Sequence, residues 1–209
     1  MCEVRLDEET IAFVRQQHVF FVATAAAEGR VNVSPKGLDT LRILSPERLA
    51  WLDLTGSGNE TAAHLGIDPR ITLMFCAFEG PPRITRVYGR GLTIRPRNPA
   101  FGDLLTHFPN LPGARQIIVV DVELVTRSCG EAVPCFEFRG QRSELISWAT
   151  GLGPAGLEAY WRQRNAVSID GFPTEPLTEA QLSHSSIASE SVTQPAEVRE
   201  RSGGGPVDQ

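Results

Sequence analysis

The chain has 209 residues, of which 41% are apolar and 22% charged, and its 20 basic and 25 acidic groups leave a formal net charge of −5. That balance offers no field to attract phosphate backbones or anionic lipid, so nucleic acid and membrane are disfavoured as main partners. The longest apolar stretch, 19–27, is about half of the ~20 residues that a bilayer crossing needs, and the length supports one core rather than two.

Glu3, Asp7, Glu8 and Glu9 put acid where a secretory signal needs base, which predicts a cytoplasmic protein. Cys2, Cys76, Cys129 and Cys135 are too few and too scattered for a disulfide framework, and reduced thiols are expected. Cys129 and Cys135 have no third ligand nearby, so no metal site is expected.

Asp7 reads as the N-cap of an opening helix with acids in its first turn, and Leu6 is placed to staple against Ile11. Residues 19–24 and 30–37 form a predicted hairpin across Ala27-Glu28-Gly29. A second antiparallel pair, 41–44 and 49–54, turns at Ser45-Pro46-Glu47-Arg48, so the sheet is expected to grow as a meander. Thr55-Gly56-Ser57-Gly58-Asn59 then opens a short helix at 60–66, with Ser57 and Glu60 spaced as a capping box. Strands follow at 70–78, 83–94 and 116–126, with a helix at 99–108 started by Asn98-Pro99. Two helices, 143–150 and 154–165, are expected to pack on the sheet through Trp148, Leu157, Tyr160 and Trp161. The fold class is therefore mainly β with flanking helices, α+β, in which a small barrel is favoured over a parallel sheet. Residues 1–173 are read as one domain; 174–209, rich in Ser, Thr, Glu, Pro and Gly and without an aromatic, as a disordered tail.

Three constellations could carry chemistry. Lys36 is the only lysine among the 20 basic residues, and it shares one strand face with Asn32 and Ser34, while Val33 and Pro35 take the other. That polar face is either the solvated side of an edge strand or the wall of a cleft for an anionic or hydrogen-bonding ligand. The glycine-rich turn at 55–59 is either a simple cap or a phosphate cradle, and it lacks the ending of a nucleotide P-loop. Arg86, Tyr88 and Arg90 share a face that is most simply solvated. The four histidines are scattered, and no nucleophile-base arrangement is legible; no catalytic residue is assigned.

Phe20-Phe21-Val22-Ala23-Thr24-Ala25, Val33-Ser34-Pro35-Lys36-Gly37, Thr55-Gly56-Ser57-Gly58-Asn59-Glu60-Thr61 and Asp68-Pro69-Arg70, in this order, resemble the pyridoxamine 5'-phosphate oxidase-related family. Ser128-Cys129-Gly130, Val133-Pro134 and Ser168-Ile169-Asp170-Gly171 extend the resemblance over about residues 8–173. It implies an FMN-binding split β-barrel that forms a homodimer around the flavin. It further implies that Asn32, Val33, Ser34 and Lys36 run along the flavin, while Leu54, Thr55, Ser57, Asn59, Glu60 and Thr61 hold ribityl and phosphate. Where the family's oxidases carry adjacent Arg and Lys for the phosphate, this chain has Glu60 and Thr61, which leaves the anion to amides, hydroxyls, Lys36 or a strand arginine. The resulting expectation is an FMN-dependent oxidoreductase that moves a hydride between flavin and a small organic substrate. The alternatives are a flavin- or haem-binding protein without turnover, or a deazaflavin-dependent reductase.

Overall fold

A computed structural model describes residues 2–175 of the chain. Eight strands, β1 (Cys2–Glu3), β2 (Phe20–Thr24), β3 (Asn32–Lys36), β4 (Leu41–Ser45), β5 (Arg48–Leu54), β6 (Arg70–Cys76), β7 (Ile84–Ile94) and β8 (Ala114–Ser128), form one antiparallel sheet. Its order is β3-β2-β6-β7-β8-β5-β4, with β1 paired to β8. The helices are α1 (Glu8–Gln16), α2 (Glu60–Leu65), α3 (Ala100–Leu105) and α4 (Glu144–Arg164).

The expected hairpins form, but the meander does not. After β3, Leu38 and Asp39 both adopt positive φ (62° and 55°) and carry the chain across to the far end of the sheet instead of adding a neighbour to β3. Pro35, which has no N–H to donate, suits the edge position left to β3. The two-residue β1 was not expected from the sequence.

The sheet curls on itself. Phe20 of β2 and Trp51 of β5 stand four places apart in the strand order, yet their rings meet edge to face at 6.1 Å. Between them lies the main core, with Val22, Leu49, Leu73, Phe75, Val87 and Ile118 all essentially inaccessible. At the register shift between Tyr88 and Gly89, a Cβ on Gly89 would overlap the carbonyl of Asp121, so glycine permits the close approach of β7 and β8 at this bend. β5 is buried on both faces: Leu49 and Trp51 look into the barrel, while Ala50 and Leu52 join a second cluster covered by Phe101, Leu104 and Leu105 of α3. The ends of the sheet, β3 and β4, do not pair with each other, and the barrel is split.

α1 closes one end, with Leu6, Phe13 and Val14 buried in the core and Ile11 packed beside them. The predicted cap is present, as Asp7 Oδ1 accepts from the Thr10 amide at 2.8 Å. α4 breaks at Gly153 (φ 64°) just before Pro154, which is the division read from the sequence. Trp148 departs from expectation: it is exposed and stacks edge to face on Tyr160 rather than on the barrel. The domain boundary also moves, because Thr174 is buried, its hydroxyl donates to the Asn165 carbonyl at 2.8 Å, and Arg97 pairs with Glu175 at 3.0 Å. The rest of the predicted tail, from 176, lies outside the described residues. Among those described, no helix is long and apolar enough to cross a membrane.

Asp7 also ties α1 to β8 through Arg127, which pairs in addition with Glu9 at 3.1 Å. Hydrogen bonds from Thr10 and Arg127 hold its carboxyl at about 2, below the ordinary 3.8. A carboxylate depressed on folding contributes stability above its unfolded value and loses it as the pH falls through the folded one. Asp7→Ala should therefore cost about 1 kcal/mol near neutrality, and its deficit against wild type should close as the pH falls from about 4 to about 2. Urea titrations at several pH values measure this; a deficit unchanged at pH 2 would assign the effect to packing rather than to the ionised cap.

Candidate functional site

The split between β3 and β5 forms a cleft of about 560 Å³. Strand alternation and register decide what enters it. Asn32, Ser34 and Lys36 face Thr24, Val22 and Phe20 across the β2–β3 ladder, and all six lie on the inward side. Val33, 62% exposed, and Pro35 lie on the outer side. The polar face of β3 is thus a cleft wall and not a solvated surface.

Its strongest feature was missed in the sequence. Asp53 continues the inward row of Leu49 and Trp51 and is 1% exposed. Lys36 Nζ reaches its Oδ1 at 3.1 Å, Arg115 Nε reaches Oδ2 at 3.0 Å, and Gln116 Nε2 donates to Oδ2 at 2.8 Å. Burial opposes ionisation of this carboxyl, but the charges of Lys36 and Arg115 outweigh it and hold Asp53 well below the usual carboxylate range. The lone lysine is therefore a bridge across the open side of the barrel.

The same network shapes the glycine-rich turn. Arg115 donates to the Gly58 carbonyl at 3.0 Å and to Asn165 Oδ1 at 2.7 Å, while Asn165 Nδ2 donates to the Gly56 carbonyl at 3.1 Å. Gln116 also donates to Asn59 Oδ1 at 2.8 Å. With these carbonyls drawn back onto protein donors, Gly56, Ser57 and Gly58 border the cleft. The proposed capping box does not form: the N-cap of α2 is Asn59, and Glu60 instead accepts the Ile169 amide on both oxygens at 3.1 Å.

Of the residues expected in a site, Asn32, Ser34, Lys36, Leu54, Ser57, Asn59, Glu60 and Thr61 line this one cleft. Val33 is on the opposite face of β3. Thr55 is buried behind the turn, where its hydroxyl donates to the Gly113 carbonyl at 2.7 Å and accepts from Trp161 Nε1 at 2.8 Å. Asn32 Nδ2 lies between Thr61 Oγ1 at 3.2 Å and Thr24 Oγ1 at 3.3 Å, and Thr24 in turn meets His64 Nδ1 at 3.1 Å. Arg115, Arg164, Val167, Ser168 and Ile169 also line the cleft without having been expected in a site. Asp53 carried one legible signal, an acid inside an otherwise apolar strand run; Arg115 carried none. Arg86, Tyr88 and Arg90 lie on the outer face of β7, away from the cleft.

Three cationic side chains, Lys36, Arg115 and Arg164, line the cleft with two carboxylates, Asp53 and Glu60. Arg164 has no ion-pair partner among the described residues, and the hydroxyl of Ser34 is buried without a hydrogen-bond partner among them. This is a donor-rich surface suited to an anionic group with polar attachments. Among the described residues no cluster of His, Cys, Asp or Glu is arranged to hold a metal, and Cys129 and Cys135 are exposed free thiols.

Residues 6–129 match a family model described as pyridoxamine 5'-phosphate oxidase. The pyridoxamine 5'-phosphate oxidase family protein ustO of Aspergillus flavus is 36% identical over 178 residues, covering 76% of this chain and 71% of the fungal one. Among solved structures, a single-site variant of HupZ from Group A Streptococcus has a TM-score of 0.49 at 16% identity, covering 59% of this chain and 99% of that one. An FMN-binding protein from Syntrophomonas wolfei has a TM-score of 0.40 at 12% identity, with 59% and 82% covered.

Asp53 is the carboxylate that both cations share, and its removal leaves Lys36 and Arg115 uncompensated. Asp53→Ala should accordingly lower stability by about 3–5 kcal/mol, measured by urea unfolding. A loss below about 1 kcal/mol, the range of exposed pairs, would mean that Lys36 and Arg115 are adequately solvated without it.

Proposed function

The chain belongs to the pyridoxamine 5'-phosphate oxidase family, and from that premise we propose that its cleft binds FMN and that the protein is a flavin-dependent oxidoreductase acting on a small organic substrate. The observation that carries the reading is the convergence of Lys36, Arg115, Arg164 and the unpartnered Ser34 hydroxyl on one cleft, in a chain whose net charge is −5. The donor set fits a phosphorylated, polyhydroxylated ligand. Lys36 and Arg115, with the hydroxyls of Ser57 and Thr61, are the groups to hold a phosphate, and Asn32 and Ser34 those to meet ribityl or ring polar atoms. When bound, FMN would supply two-electron transfer. The chain's own contribution is to bind and orient: Asp53 is held by Lys36 and Arg115 and Glu60 by the Ile169 amide, which leaves no cleft carboxylate among the described residues free as an acid or base. Haem is less well served, because among the described residues no histidine, cysteine or methionine lines the cleft.

We further propose a homodimer. The outer face of β2, β3 and β6 presents Phe21, Ala23, Val33, Pro35 and Met74 side by side in register, and Val33 is largely exposed. With only Thr72, beside Ala23, polar among the residues paired on that face, it is suited to a second copy. Sedimentation should give a dimer at micromolar concentration and Val33→Asp a monomer; a wild-type monomer would remove the proposal.

Titration of apo-protein with FMN, followed by fluorescence quenching, tests the cofactor. Saturable binding near one per subunit is expected, with riboflavin weaker because it lacks the phosphate. Lys36→Ala should weaken FMN by about 1–3 kcal/mol, and Lys36→Arg should also be impaired, since a guanidinium fork does not replace a point charge held at Asp53. The fold should survive, as Arg115 and Gln116 still satisfy Asp53. Unchanged affinity in both variants, or tight haem binding without FMN binding, would overturn the reading. Anaerobic mixing with a panel of donors, including NAD(P)H, should bleach the flavin, with pyridoxamine 5'-phosphate a poor substrate; bleaching by dithionite alone would favour a binding protein without turnover.

A further inference from the structure

The Ser168-Ile169-Asp170-Gly171 segment lies well beyond the 6–129 match, and its first two residues border the cleft. It is the tip of a strap, 166–175, folded back on itself. Ser168 N–H donates to the Phe172 carbonyl at 2.8 Å, Phe172 N–H donates to Ser168 Oγ at 3.0 Å, and Val167 bridges to Pro173. Its base is fixed by Thr174, whose amide donates to the Ala166 carbonyl at 3.0 Å and whose carbonyl accepts from Arg95.

Two carboxylates fasten the tip to the rest of the site. Glu60, at the start of α2, accepts the Ile169 amide. Asp170 reaches the β2–β3 turn, where it accepts the Arg30 amide at 2.7 Å and pairs with the Arg30 side chain. This last contact needs its neighbour to be glycine: Gly29 has φ +84°, and a Cβ there would lie 2.7 Å from Asp170 Oδ2. Held this way, the strap turns Val167 and Ile169, 53% and 72% exposed, to the rim of a cleft whose other side chains, Leu54 apart, are polar or charged. Two aliphatic side chains left in water beside such a cleft are matched to a ligand that is anionic at one end and apolar along its body.

We infer that the strap is a latched wall of the binding cleft, with Glu60 and Asp170 as its latches and Val167 and Ile169 as an aliphatic lip that slows departure of a bound flavin phosphate. The inference rests on the FMN reading. It gives Glu60 a positioning role in place of the phosphate contact expected of its position, and it separates retention, set by the strap, from anion capture, set by Lys36 and Arg115.

The test uses the full chain loaded with FMN, with release on dilution followed by recovery of flavin fluorescence. Loss of one latch should speed release by about tenfold, the loss of a charge-assisted hydrogen bond, in both Glu60→Ala and Asp170→Ala. Glu60→Gln, which keeps an oxygen for the Ile169 amide but not its charge, should fall between wild type and Glu60→Ala, and Ile169→Ser should speed release with the latches intact. Hydrogen exchange of the Ile169 amide in apo-protein reads the latch without any ligand and should accelerate in Glu60→Ala. Faster exchange with unchanged release, or unchanged exchange in Glu60→Ala, would overturn the inference while leaving FMN binding in place. A wild-type protein that takes up no FMN would instead remove the functional reading, and this inference with it.

Discussion

A carboxylate fully buried at the mouth of a β-barrel has to be paired from more than one side, and Asp53 is the group on which this site is built. Its position on the inward row of β5 is fixed by alternation with Leu49 and Trp51. Once it is there, the cost of holding a charge away from water requires the cations that surround it. Lys36 comes from β3 across the open edge and Arg115 from the neighbouring strand β8. The network thus sets the separation of the two sides of the split barrel, and so the width of the cleft.

Through Arg115 the same carboxylate reaches further. Arg115 meets Gly58 and Asn165, so the glycine-rich turn and the C-cap of α4 are both referred to Asp53. Asn165 continues the connection to Gly56 and, through its carbonyl, to Thr174 at the base of the strap. Cleft floor, turn and strap therefore form one hydrogen-bonded frame rather than three loops placed independently. A frame of this kind costs little reorganisation when a ligand arrives, which is the physical content of preorganisation.

The local elements were legible in the sequence because local chemistry determines them. Asp7 caps α1 through a residue three positions away, Gly153-Pro154 breaks α4, and the alternation of Asn32, Ser34 and Lys36 separates two faces whatever the sheet does. What could not be read was decided by partners far away in the chain. The departure from a meander depends on two non-glycine residues at positive φ, Leu38 and Asp39, which nothing in their composition announces. Arg115 is one arginine among 19, and it becomes a site residue only because the β5–β8 register sets Gln116 opposite Asp53. The Ser57–Glu60 spacing fits a capping box, but an amide 109 residues away competes for the same carboxylate and wins. Short-range patterns predicted the right faces and failed wherever a long-range donor was the better partner.

Glu60 also resolves an apparent contradiction in the charge of the cleft. Counted by residue type, two carboxylates beside three cations make a poor anion site. Pairing changes the count: Asp53 is neutralised between Lys36 and Arg115, and Glu60 is directed onto a backbone N–H. An arriving anion then meets a shared positive charge that Asp53 holds in place, Arg164 at the margin, and hydroxyl groups that carry no charge. Such a field attracts less strongly than the same cations would alone, but its donors are fixed in direction, and strength in a desolvated site depends on direction as much as on net charge. In the proposed reading an anion is anchored from β3 and β8, by Lys36 and Arg115, rather than by a basic pair at 60 and 61, while Glu60 is held by the strap.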